Sequence, residues 1–316
     1  MSSELPHDPA LPGLVAIRDE GLPRAIPALG LEDGRVELVL RAYKPGARAA
    51  LEARVGDRHL AVKAYAHDPA PEAALYDALA AAGLVGESGI RVPPLVAWER
   101  DLRILVVGWL EGHTAKQLLR DGQGQRAGEL AACWLRRAAS LRVKLGPPLG
   151  AQRRLEQAGQ WVAALGAADP ALGTAAEALA ETLARTVPED GAPRLVHGSL
   201  HDRNVLDLGG DPGVIDWQRF GQGPAELDAG MFLGTIARHR LLHESMGVEA
   251  TRAEEAFLAG TRGLVDERAL AWHRAAALLR AAVRVCKELP RRKRRDWVAR
   301  SRALLGEATR LAEASA

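Results

Sequence analysis

Polar and apolar residues alternate over 36–40 (Val-Glu-Leu-Val-Leu), as in a half-buried strand. Tyr43-Lys44-Pro45-Gly46 is a turn signal. A second strand is expected over 50–55, a tight turn at Gly56-Asp57, and a third strand over 60–65. The pattern then predicts a helix over 71–82, with Glu72 in its first turn, and two more strands over 95–98 and 103–107. Gly108-Trp109-Leu110-Glu111-Gly112 breaks the strand period. From Thr114 the apolar spacing is helical: 129–145, 155–165 and 170–186 before a Pro/Gly loop at 188–193, then 225–243, 252–263, 267–289 and 296–312. Between these helices lies one short hairpin, Val205-Leu206 and Val214-Ile215 around Gly209-Gly210-Asp211-Pro212-Gly213. An α+β chain follows, with a small antiparallel sheet first and a mainly helical part second. The expected division is a Pro-rich extension (1–34), a sheet unit (35–108) and a helical unit (109–316), with no internal repeat.

Composition narrows the function classes. A formal net charge of +2 gives no general case for nucleic-acid binding. No apolar run approaches the roughly 20 residues of a membrane span, and the first residues lack the basic flank and apolar core of a signal peptide. Cys133 and Cys286 lie far apart in helical patterns and read as buried thiols, which implies a cytoplasmic setting.

The chemistry concentrates in residues 195–228, LVHGSLHDRNVLDLGGDPGVIDWQRFGQGPAELD. His197-Gly198 opens a loop that Asn204 closes, and the hairpin after it presents Asp216-Trp217. Asn204 and Asp216 both offer hard oxygen ligands, so the two hairpin ends can share a divalent cation. The stretch resembles the aminoglycoside and choline phosphotransferase family, whose motif runs H-G-D-x-H-x-x-N, then I-D-W or I-D-F, then a further Asp about a dozen residues on. His197, Gly198, His201, Asn204, Asp216, Trp217 and Asp228 match. The family's catalytic Asp falls on Ser199.

The resemblance covers roughly residues 35–290 and implies a two-lobed, protein-kinase-like fold that uses ATP and Mg²⁺ on a small-molecule substrate. Ala61-Val62-Lys63 resembles the kinase V-A-I-K strand, which makes Lys63 the nucleotide-phosphate ligand and Glu72 its ion-pair partner. A snorkelling edge-strand lysine and an acid favoured by the helix macrodipole are the alternatives. The resemblance makes 108–112 the hinge, where backbone groups would meet an adenine; Glu111 is left out of the site. The turn expected over the phosphates has one glycine, so Lys44 and Arg48 either replace lost amide contacts with charge or are solvated turn residues. Asn204 and Asp216 would hold Mg²⁺. His197 would anchor the loop, Asp228 would brace the loop and its own helix, and Trp217 would pack in the core.

Ser199 is the departure. The family's Asp accepts the proton of the substrate hydroxyl, and serine cannot do so at neutral pH. Three readings compete: a kinase that works without its base, a kinase in which Asp202 substitutes for it (otherwise a solvated Asp), and a nucleotide-binding pseudokinase with a regulatory or scaffold role. The C-terminal helices carry Arg280, Arg284, Lys287, Arg291, Arg292, Lys293, Arg294 and Arg295. This charge disfavours a polycationic aminoglycoside and suits a sugar, an amino alcohol or an anionic metabolite.

Overall fold

The computed structural model describes residues 5–31, 36–288 and 296–315, and only the backbone of Lys287 and Glu288. The basic run 291–295 and the expected boundary at residue 34 lie outside the described residues. The chain divides into two compact units, Met1–Glu111 and Gly112–Ala316.

The first unit opens with helices α1 (Pro12–Glu20) and α2 (Leu22–Ala25), where an extension without assigned structure was expected. Each has a proline in its first turn, which fixes φ without removing an intrahelical bond. Leu11, Leu14, Ile17, Leu22 and Leu29 are buried against Leu51, Leu60, Val62, Ile104 and Val106 of the sheet. The segment is therefore part of this unit's core.

The sheet is antiparallel and five-stranded: β1 (Glu37–Lys44), β2 (Arg48–Val55), β3 (Arg58–Tyr65), β4 (Leu95–Glu99) and β5 (Ile104–Gly108), in the order β1-β2-β3-β5-β4. Between β3 and β4 runs α3 (Ala70–Ala81), with Pro71 and Glu72 in its first turn. The β2–β3 register pairs Ala50 with Lys63, and β3–β5 pairs Lys63 with Leu105. Lys63 is thus in the sheet interior, not at an edge.

The second unit begins with β6 (His113–Thr114) and α4 (Ala115–Arg120), which starts on a capping box between Thr114 and Gln117. Helices α5 (Gly124–Ala139), α6 (Ala151–Ala168) and α7 (Pro170–Arg185) follow. The expected helix over 129–145 ends early. Gln222 draws residues 143–149 into an extended path: its Nε2 donates to Val143 O and Leu145 O, and its backbone pairs with Pro147 and Leu149.

Four short strands come next: β7 (Arg194–Val196), β8 (Val205–Asp207), β9 (Pro212–Val214) and β10 (Gly221–Gly223). β7 pairs with β10, and β6, β8 and β9 form a three-stranded sheet. The unit closes with α8 (Ala225–Leu242), α9 (Gly247–Gly260), α10 (Glu267–Glu288) and α11 (Trp297–Ala314). One core joins α6, α7, α10 and α11 through Leu165, Leu172, Leu179, Trp272, Leu279 and Leu304.

Both cysteines are free, but neither is buried, contrary to expectation: Cys133 lies on the exposed face of α5, and Cys286 is half-buried. Among the described residues no helix is long and apolar enough to cross a membrane.

Candidate functional site

In the first unit, Lys63 Nζ lies 2.8 Å from Glu72 Oε1, and both side chains are buried. Lys63 and Tyr65 stand two apart on β3 and so share a face. The Tyr65 hydroxyl donates to Glu72 Oε2 at 2.7 Å. Burial and the nearby carboxylate push the Tyr65 phenol well up, so it stays a donor. The macrodipole alone does not account for Glu72, because both carboxylate oxygens have side-chain partners.

Lys44 ends β1 and is exposed; Arg48 starts β2 and is half-buried; the two are cross-strand partners. Gly46 between them has φ +65°, a turn conformation that glycine adopts at little cost. Its amide donates to Asp8 Oδ2 at 2.8 Å, and the Tyr43 hydroxyl donates to the same oxygen at 3.0 Å. Those bonds hold the Asp8 carboxyl below its ordinary range. Asp8 is a residue that sequence reasoning missed. In segment 108–112, the amides of Gly108 and Trp109 donate to Pro94 O and His59 O.

In the second unit, loop 197–204 is fixed from below. Asp228, in the first turn of α8, accepts from the amides of His197 (2.5 Å) and Gly198 (2.9 Å). Complete burial pushes its carboxyl up, against the pull of those bonds. Gly198 has φ +71°, and a Cβ there would meet Arg219 O at 2.0 Å, so no other residue fits. His197 Nε2 donates to Ile215 O at 2.9 Å. A carbonyl can only accept, so a proton sits on Nε2. Ser199 Oγ lies 3.3 Å from the other ring nitrogen, Nδ1, within hydrogen-bond reach. His197 also packs on Trp217, which is fully buried and donates its indole N–H to Val214 O.

Asn204 and Asp216 flank the hairpin as expected. Asn204 Nδ2 donates to Ser199 O at 3.2 Å, so Oδ1 is the atom left to ligate. Ile215 N donates to Asn204 O, which couples the two ends of the hairpin. Asp216 has φ +67°, unusual for a residue with a Cβ. Such strain persists only where the surroundings impose it and clusters at functional positions. An Asn and an Asp suit Mg²⁺, which takes one or two protein oxygens and keeps water and phosphate oxygens for the rest of its shell.

Asp202 is not the solvated residue of the second reading. Its carboxylate is 3% exposed, and Oδ2 lies 2.7 Å from His239 Nε2 on α8. Burial pushes its pKa up, but the contact with His239 outweighs this and the net direction is down. It is not solvated, and one of its oxygens is held by His239 inside the unit. His201 Nδ1 accepts from Arg203 N, and burial lowers its pKa to about 4, so it is neutral. Arg280 and Arg284 lie one turn apart on α10; the charge expected at 291–295 is outside the described residues.

The fold is that of kinase-like phosphotransferases. The model of the APH family, described as a phosphotransferase enzyme family, matches residues 29–271, and the chain belongs to that family. No curated relative matches it. Among solved structures, an aminoglycoside-3'-phosphotransferase of type VIII is 25% identical, with a TM-score of 0.50, over 76% of this chain and 92% of that one. Choline kinase LicA from Streptococcus pneumoniae shares the fold at 14% identity (TM-score 0.61; 90% and 96% covered). Amicoumacin kinase hAmiN, solved with AMP-PNP and Ca²⁺, does so at 12% identity (0.61; 94% and 95%).

Proposed function

We propose that the protein is an ATP-dependent phosphotransferase acting on a hydroxyl of a small molecule, with Ser199 where a general base is expected. The observation that carries this reading is loop 197–204, pinned by Asp228, with Asn204 and Asp216 at the ends of the hairpin beside it. Lys63, held by Glu72, binds phosphate oxygens. Asn204 and Asp216 would hold Mg²⁺. A bound divalent cation offsets phosphate charge and so favours transfer. The residues then position the acceptor, and positioning with charge neutralisation carries most of the catalysis in a loose transition state.

Ser199 orients a hydroxyl but takes no proton. A missing general base costs about 10²–10⁴-fold, which leaves a slow enzyme rather than none. His239 holds one oxygen of Asp202 inside the unit, which counts against Asp202 as a replacement. That same fact favours the second reading, a nucleotide-binding protein without turnover.

The test is an ATP-consumption screen over metabolite pools with wild type, Ser199→Asp and Asp216→Ala in parallel. Mg²⁺–ATP raises the melting temperature of wild type, and the rise shrinks in Asp216→Ala. With a substrate in hand, Ser199→Asp raises kcat by about 10–10⁴-fold. Activity only in Ser199→Asp selects the pseudokinase. Brisk wild-type turnover that Ser199→Asp leaves unchanged refutes the role given to position 199.

A further inference from the structure

A cavity of about 420 Å³ opens in the second unit between the loop that follows α7, the first turn of α8 and the start of α10. Neither loop 197–204 nor Asp216 lines it. Its size is that of a small-molecule site, roughly 300–1,000 Å³. Four carboxylates line it, Glu189, Asp190, Glu226 and Asp266, against one cation, Arg268. Arg268 Nε donates to Ser315 O.

Folding uses part of this negative charge. Asp190 accepts from Ala151 N at the start of α6. Glu226 Oε1 accepts from Asp266 N at 2.8 Å, and Asp266 Oδ1 from Ala269 N at 2.8 Å. These carboxylates already answer the partial positive charge of the helix N-termini, so the N-termini do not make the cavity an anion site. Among the described residues no protein donor reaches Glu226 Oε2, Asp266 Oδ2 or the Glu189 carboxylate.

The independent observation is His273, which lines the same cavity from α10. It is 3% exposed, and its Nε2 is buried without a hydrogen-bond partner. Burial lowers its pKa to about 3, so the ring is neutral and one of its nitrogens carries a lone pair. Buried polar groups without partners are few in native proteins and call for an explanation. The carboxylates have a use as caps, whereas the imidazole has none in the fold. A metal ion does not explain the set, because among the described residues no group of three or more His, Cys, Asp or Glu side chains is arranged to hold one. An organic cation can span the wider spacing and lay its carbon body on Val187, Pro188 and Pro224.

We propose that this cavity binds a small organic ammonium ion, whose N–H groups bond Glu226, Asp266 and His273. The site is separate from the one assigned to phosphoryl transfer and does not rest on that reading. Glu226 and Asp228 share the first turn of α8, so a bound ammonium bears on the turn that pins loop 197–204.

Calorimetry and thermal melts on the full chain test this with n-butylamine, putrescine, tetramethylammonium, butanol and glutarate. The expected result is binding of n-butylamine and putrescine that weakens with salt, and no binding of butanol or glutarate. Tetramethylammonium has the charge but no N–H, so it binds about tenfold more weakly or worse. Glu226→Gln, which keeps an acceptor for Asp266 N, and His273→Phe, which keeps the ring, each weaken n-butylamine by about tenfold or more. Asp216→Asn, in the other site, binds n-butylamine as wild type does. The proposal fails if no ammonium binds, if tetramethylammonium binds as well as n-butylamine, or if glutarate binds better. It also fails if Glu226→Gln binds like wild type, or if Asp216→Asn abolishes binding and so moves the ammonium to the other site. The wild-type series and Glu226→Gln decide the matter even where His273→Phe does not fold.

Discussion

Asp202 and Ser199 lie three residues apart in one loop, both are buried, and their partners separate their roles. The Asp202 carboxylate faces α8 and meets His239, while Ser199 turns its hydroxyl to His197. Removing one member of a buried pair leaves the other uncompensated, at a cost of about 3–5 kcal/mol. Asp202→Asn is therefore expected to lower stability by an amount in that range, read by denaturant unfolding. It leaves any gain from Ser199→Asp in place, because the two carboxylates would do different things. If Asp202→Asn instead abolished turnover at unchanged stability, Asp202 would be the base after all. The sequence could place Asp202 in the loop but not aim it: His239 lies 37 positions away, and only α8 brings it back.

At the scale of elements, the N-terminal segment and the β1–β2 turn behave as one piece. Asp8 takes the Gly46 amide and the Tyr43 hydroxyl on one oxygen and the Ala10 amide on the other. The turn next to Lys44 and Arg48 is thus held by a carboxylate from outside the sheet. Asp8→Ala should speed amide exchange at 43–47 and leave β3 and β5 protected; equal protection in both proteins would show that the turn holds itself. None of this was legible, because a lone Asp in a Pro-rich stretch carries no period and no spacing to its partner. The strands were legible, since alternation and turn residues are local. So was the Lys63–Glu72 pair, through the resemblance, whereas Tyr65 was missed although it shares a strand face with Lys63. The capping box at Thr114 and Gln117 was a local signal that was passed over. The end of α5 at Ala139 was out of reach: Gln222, far along the chain, competes for the residues that follow.

The two units of the molecule carry different titratable groups, so acid should weaken them at different pH. His201 and His273, both in the second unit, are held down by burial to about 4 and about 3. A histidine whose folded pKa lies below its unfolded value opposes folding once the unfolded chain begins to bind protons. Stability is therefore full above about pH 6.5 and falls as pH drops towards the folded value. At pH 5 each of these histidines costs about 2 kcal/mol on that reckoning. His243, in the same unit and also lowered by burial, acts in the same direction. Asp228 works against them, because burial raises its pKa and protonation relieves it. In the first unit the shifted acids are Asp8, lowered chiefly by the Gly46 amide, and Glu52, where burial is outweighed by Arg41, His59 and Arg54. Carboxylates with lowered pKa lose their contribution only as pH falls through those low values, below about 4. Between pH 6.5 and 4.5 the second unit should therefore soften while the first does not. Hydrogen exchange followed by peptide, corrected for the intrinsic rate at each pH, should show protection falling in α8 and α10 well before β2 and β3. Equal loss in both, or earlier loss in the sheet, would mean that the buried histidines do not govern the acid limb.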